Sequence, residues 1–168
     1  MDVPQERSSR SVEVLDAVDR RLVAELRADA RASYAHLARS VGLSSPSVQE
    51  RVRRLERRGV LVGFHAAVDP AAVGLTVTAL VSILQTDSAE QDDVARRLAA
   101  VPAVEDCWFV AGAEAFVVKV RVADVAALEA TIAALMRIHG VARTRTTVVL
   151  STRWEGRAVP LPEHEEDP

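Results

Sequence analysis

Long apolar runs are missing from this 168-residue chain, and no stretch approaches the ~20 residues that a membrane-crossing helix needs. Its first ten residues, MDVPQERSSR, are polar and unlike a secretory signal. The chain is therefore expected in the cytoplasm, with no membrane partner. Cysteine is nearly absent: Cys107 alone excludes an internal disulfide, in keeping with a reducing compartment, and reads as a small buried hydrophobe rather than a reactive thiol. Aromatics make up only 4% of a chain that is 49% hydrophobic, so any core rests on many small aliphatic contacts. That apolar content excludes a disordered polymer. The length suits one ordinary domain or two small ones, neither with core to spare.

Metal-ligand and catalytic patterns are also lacking. The four histidines, His36, His65, His139 and His164, are scattered without ligand spacing, there is no cysteine cluster, and no Ser-His-Asp order stands out. No metal, cofactor or catalytic residue is assigned.

The formal net charge of -3 looks wrong for a polyanion binder until the chain is divided after Gly63. The first 63 residues hold 12 arginines against 9 carboxylates, whereas the remainder holds 9 cations against 15 carboxylates. Within 31–58 there are 7 arginines against Glu50 and Glu56 alone. A compact basic stretch on an acidic protein suits DNA, although by itself it equally suits a solvated helix face.

The apolar spacing of Leu15, Val18, Leu22, Val23 and Leu26 predicts a helix over 14–26. Ser33 caps a second helix that ends at Gly42. After a short turn, Ser45 is expected to cap a third helix with Pro46 at its first position and Gly59 as its stop. Burying Val48, Val52 and Leu55 sends Pro46, Ser47, Gln49, Glu50, Arg53, Arg54 and Arg57 outward or sideways, with Arg51 and Arg58 flanking. Two short helices about a glycine turn, the second rich in arginine, form a helix-turn-helix able to enter a major groove. Gln49, Arg53 and Arg54 suit base edges; Ser45, Ser47 and the helix N-terminus suit phosphates. Ser33, Arg51 and Arg57 complete the candidate DNA-facing set. Glu50 either reads a cytosine amino group or pairs with Arg54 at i+4, the pairing being favoured.

Val60–Val68 reads as a strand or extended connector broken by Asp69-Pro70, the candidate domain boundary. Beyond it the pattern runs strand 77–84, helix 88–100 with a Ser88 and Gln91 capping box, strand 104–110, strand 115–122, helix 124–138 and strand 144–151. This order is the ferredoxin-like βαββαβ arrangement, an antiparallel sheet with helices on one face. Phe116, Val118 and Val120 point to one face, and Val117, Lys119 and Arg121 to the other, so a partner subunit is the natural cover for the open side.

The segment LDAVDRRLVAELRADARASYAHLARSVGLSSPSVQERVRRLERRGVL closely resembles the N-terminal half of the leucine-responsive and asparagine regulators, the Lrp/AsnC or feast/famine family. Downstream, FHAAVDPAAVGL, VEDCWFVAG, AFVVKVRVAD and GVARTRTTVVL resemble the connector and later strands of that family, so the likeness spans about Leu15 to Leu150. The resemblance implies an α+β protein: a winged-type helix-turn-helix joined by a strand linker to a βαββαβ ligand-binding domain. It also implies homodimers, an octamer of four dimers in many relatives, and an amino-acid effector held near a dimer–dimer interface by the loop after the second strand. Here that loop is Val110, Ala111, Gly112, Ala113, Glu114 and Ala115, leading to Phe116, with Thr144 and Thr146 as opposite walls. Members of the family usually carry an acidic residue just before the aromatic that opens the third strand; this chain has Ala115 there and Glu114 one position earlier. Glu114 can hold an amino group only where the loop register differs, since one step reverses side-chain direction in a strand. A plain turn with a solvated carboxylate is the other reading of Gly112 and Glu114.

The expected organisation is a flexible lead-in over 1–12, a helix-turn-helix over 13–59, a strand linker over 60–74, an effector-binding and oligomerisation unit over 75–153, and a tail over 154–168 disordered at its end. The expected function is a sequence-specific transcriptional regulator that binds double-stranded DNA and a small effector such as an amino acid. Two alternatives are a low-specificity architectural DNA binder without effector, and an enzyme resembling the sirohaem decarboxylases that share this architecture.

Overall fold

The computed structural model describes residues 15–86 and 88–161. The expected lead-in over 1–12, the head of the first helix at Val14, His164 and the end of the tail from residue 162 lie outside them. The described residues divide into two compact units, one of 15–67 together with 154–161, the other of 68–86 with 88–153.

The first unit holds three helices: α1 (Ala17–Ala28), α2 (Tyr34–Val41) and α3 (Ser45–Arg57). Each starts where a side chain satisfies a free backbone donor. Asp16 accepts from the Asp19 N–H at 2.7 Å, and Ser33 from the His36 N–H at 3.2 Å. The third cap is Ser44, which accepts from the Ser47 N–H at 3.3 Å, not Ser45 as the sequence suggested. Ser45 is the first helical residue, which moves Pro46 to the second position, still inside the turn whose N–H groups have no helical partner. Gly42 ends α2 in the left-handed region at φ 69° and sends its N–H to the Ala38 carbonyl. An added Cβ there would meet nothing within 4 Å, so the constraint is backbone strain alone. Gly42→Ala should therefore lower stability by about 1–2 kcal/mol, with Gly42→Asn costing less; urea unfolding of the whole chain measures both. Leu22, Leu26, Leu37, Ala38, Val48 and Val52 form the core of the three helices. Residues 154–161 belong with this unit, where Arg27 donates to the Val159 carbonyl at 2.6 Å.

Residues 60–69 adopt neither helix nor strand. Val62, Phe64 and Val68 are exposed, so the expected linker strand has no ladder among the described residues to pair with.

The second unit opens with a 3-10 turn, Ala71–Val73, followed by β1 (Val77–Gln85), α4 (Gln91–Ala99), β2 (Val104–Phe109), β3 (Phe116–Val122), α5 (Val125–Met136) and β4 (Val141–Val149). The sheet is antiparallel in the order β2-β3-β1-β4, the ferredoxin-like topology expected from the βαββαβ pattern. One face is a core of Ala79, Val81, Ile83, Phe116, Val118 and Val120 packed against Val94, Leu98, Leu128 and Leu135 of the two helices. The Ser88–Gln91 capping box does not form. Helix α4 starts only at Gln91, behind Glu90, which caps it without a side-chain hydrogen bond; Asp92 and Asp93 in its first turn meet the helix dipole instead. Cys107 is exposed rather than buried, because β2 is an edge strand. Desolvation by neighbouring groups nevertheless pushes its thiol pKa up, which works against a reactive thiolate.

Candidate DNA-binding face and effector loop

The inner face of α3 is closed: Val48, Val52 and Leu55 are at most 2% exposed. Its outer face presents Pro46, Ser47, Glu50, Arg53 and Arg57, with Gln49, Arg51 and Arg54 at the flanks. The four arginines of this helix are in very different states. Arg51 donates through Nη1 to Asp16 and Asp19, both at 2.7 Å, and Arg54 donates to the second Asp19 oxygen at 2.8 Å. Arg57 pairs with Glu50 at 2.8 Å, both side chains 63% exposed. Glu50 thus takes the residue seven positions on, not Arg54, whose guanidinium is drawn toward α1; the Arg57 hydrogen bond holds the Glu50 carboxyl below its usual range. Arg53 is exposed and makes no hydrogen bond or close ion pair among the described residues, its charge reaching Glu50 only at longer range. At the helix start the Ser44 and Ser47 hydroxyls are 2.8 Å apart, leaving Ser47 at the exposed N-terminus; Ser33 is exposed at the start of α2.

The carboxylate of Asp19, at the third position of α1, escaped the sequence reading. Its sole cue was an acidic residue in a helix first turn, which ordinarily signifies a dipole contact. Its neighbour Asp16 titrates below its usual value: burial raises the pKa, but the hydrogen bonds from Arg51 and the Asp19 N–H, with the charges of Arg51 and Arg54, outweigh it. A carboxyl depressed in the fold lends stability that is complete above its ordinary value of 3.8 and is lost as pH falls through the lower folded value. Acid unfolding of the chain should accordingly show a component in that window that Asp16→Asn removes, read by circular dichroism against pH.

In the second unit, the loop from Val110 to Ala115 is tied down at its end, where the Val110 N–H bonds the Ala115 carbonyl and the Ala115 N–H bonds the Ile83 carbonyl, both at 2.9 Å. Ala111, Gly112 and Ala113 form its exposed tip, and Phe116 is buried and packs edge-to-face on Phe109. Glu114 is the half-buried acid of the loop, and it meets Arg145 at 2.7 Å. Thr144 and Thr146 pair with Ile83 and Val81 and share their helix-covered face, while Arg145 pairs with Ser82 and leaves the opposite face. The expected wall of threonines is therefore not what Glu114 meets. Arg145, absent from the sequence-based set, is its partner.

The open face of the sheet carries Leu80, Trp108 and Val117, together with cations that are already matched. Lys119 lies 3.2 Å from Glu105 and 2.5 Å from Asp106, and Arg121 also pairs with Glu105. A register shift in β2 between Val104 and Asp106 lets two successive acids serve this one face.

Comparison with known proteins agrees with this arrangement. The AsnC-type helix-turn-helix domain model matches residues 15–56, and the Lrp/AsnC ligand binding domain model matches residues 76–159. The HTH-type transcriptional regulator LrpA of Mycobacterium tuberculosis is 47% identical over 147 residues, covering 86% of this chain and 96% of that protein. The leucine-responsive regulatory protein of Haemophilus influenzae is 33% identical over 141 residues, 81% and 84% of the two chains. A solved structure of the M. tuberculosis feast or famine regulatory protein complexed with L-methionine superposes with a TM-score of 0.83 at 44% identity, covering 88% of this chain and all of that one. With both domains matched in order and near-complete coverage of a named regulator, this chain belongs to the Lrp/AsnC family and is a helix-turn-helix transcriptional regulator, not an enzyme.

Proposed function

We propose that the protein acts on DNA in the cytoplasm as a homodimer or an octamer of four dimers, each α3 lying in a major groove. Gln49 and Arg53 read base edges; Ser33, Ser45, Ser47 and the N-terminus of α3 hold phosphates, and Arg57 exchanges its weak exposed partner Glu50 for a phosphate. The observation that carries this reading is the exposed Arg53, without hydrogen bond or close ion pair among the described residues, beside Gln49 on a helix whose opposite face is sealed in the core. Dimerisation through the open sheet face is supported by its exposed Trp108 and Leu80 and by its internally matched charges, since covering paired ions leaves none stranded. The exposed Val62, Phe64 and Val68 of the linker suit strand addition from a second copy.

The effector in this reading is an amino acid. The M. tuberculosis relative has been crystallised with L-methionine, and the Glu114–Arg145 pair offers an anion for an ammonium and a guanidinium for a carboxylate. Glu114 takes this role one position earlier than the acid the family places before its aromatic, where this chain has Ala115.

The test is footprinting on selected genomic fragments with and without a panel of amino acids. Protected half-sites about one helical turn apart, with a pattern altered by an amino acid, support the proposal. Uniform coverage favours an architectural binder, and calorimetric amino-acid binding unchanged by Glu114→Gln removes Glu114 from the effector site.

A further inference from the structure

Carboxylates of two very different kinds hold three of the four arginines of α3, Arg51, Arg54 and Arg57. Glu50 and Arg57 form a surface pair that water and salt can replace. Asp19, in contrast, is only 1% exposed, and each of its oxygens accepts from a different guanidinium, Arg51 at 2.7 Å and Arg54 at 2.8 Å. Arg51 shares the same nitrogen with Asp16 at 2.7 Å, and its hydrogen bonds to Asp16 and Asp19 raise its pKa. A buried carboxylate depends on its charged donors, and withdrawing one leaves charge stranded in a low dielectric. A DNA phosphate competing for Arg51 or Arg54 would have to impose that loss, whereas one competing for Arg57 would not.

We propose that Asp19, assisted by Asp16, is a positioning residue that withholds Arg51 and Arg54 from DNA. It fastens α3 to α1 and leaves Gln49 and Arg53 as the reading pair. The inference rests on the reading of α3 as the DNA-facing helix. Its consequence concerns specificity. The helix carries more arginines than it presents, so its sequence-independent attraction for phosphate is smaller than its composition implies, and base contacts decide more of the binding.

The experiment uses the full chain with two duplexes of equal length, one selected from a random pool and one unselected, titrated over a series of salt concentrations. Asp19→Asn should bind the unselected duplex more tightly, steepen the plot of log affinity against log salt by up to about 1.8, the contribution of two phosphates at ~0.9 each, and shrink the selected-to-unselected ratio by about tenfold. Arg51→Gln and Arg54→Gln keep a donor for Asp19 while removing the cation, and each should leave the slope of the Asp19-containing protein unchanged. These two variants decide the matter even where Asp19→Asn fails to fold. A slope reduced by about 0.9 in either one places that arginine on a phosphate and overturns the proposal, as does a folded Asp19→Asn protein with an unaltered slope. Failure of the underlying reading looks different: the unmodified chain would show no salt-dependent binding to either duplex, and Arg53→Gln would change nothing.

Discussion

Phe116→Ala should lower the stability of the C-terminal unit by about 3–5 kcal/mol, the usual range for emptying an aromatic site in a packed core. Phe116 is 2% exposed, is among the largest fully enclosed side chains, and packs on Phe109 with ring centroids 5.4 Å apart. Few aromatics serve this core, and the surrounding valines and leucines of β1, β3 and the two helices cannot extend to fill the space. Guanidinium unfolding followed by far-ultraviolet circular dichroism should show the midpoint shift. The substitution also removes the anchor beside Glu114, so a parallel measurement of mass by light scattering should show a smaller assembly where the dimer is built on this sheet. A variant as stable as the parent would mean that the core is not organised around this ring.

Arg53→Ala should weaken binding to a selected duplex by about 1–3 kcal/mol per subunit, the worth of a good side-chain contact to a base. A symmetric dimer loses it twice, in both half-sites. The effect is largest here because Arg53 is an exposed residue of α3 that no hydrogen bond or close ion pair holds among the described residues, Glu50 acting on it only through its charge. Fluorescence anisotropy on selected and single-base-altered duplexes distinguishes the two kinds of contact. Loss confined to the selected sequence identifies base reading, whereas an equal loss on every sequence with a slope lower by about 0.9 identifies a phosphate. Unchanged affinity on all duplexes would take Arg53 off the DNA face. Folding should be little affected, since the side chain points away from the core.

Much of the fold was legible because its signals are local. Ser33, Gly42 and the 3.6-residue spacing of Val48, Val52 and Leu55 mark helix ends and faces within a few positions of where they act. The alternation along Phe116–Val122, buried and half-buried in turn, told which side of the sheet was core. Where adjacent candidates carried equal signals, the reading slipped by one or a few residues. Ser44 rather than Ser45 caps α3, because a cap is decided by which hydroxyl the incoming chain brings to the free N–H groups, and α4 begins only at Gln91, behind Glu90, with no side-chain cap. The effector loop shows the same division. Glu114 was visible as an oddly placed acid, yet its partner Arg145 comes from a strand thirty-one positions on.

By itself the sequence determined the two domain types, their order, the helix that carries the arginines and the face of it that turns outward, since these follow from spacing and from residues adjacent in the chain. Which arginines remain free was settled only in three dimensions. Asp19 lies 32 and 35 positions from Arg51 and Arg54, and nothing in their spacing reports that α1 and α3 cross there. Charge matching acts over a few ångströms of space, whatever the distance along the chain, so the outline a basic helix shows to DNA belongs to the packing rather than to the composition.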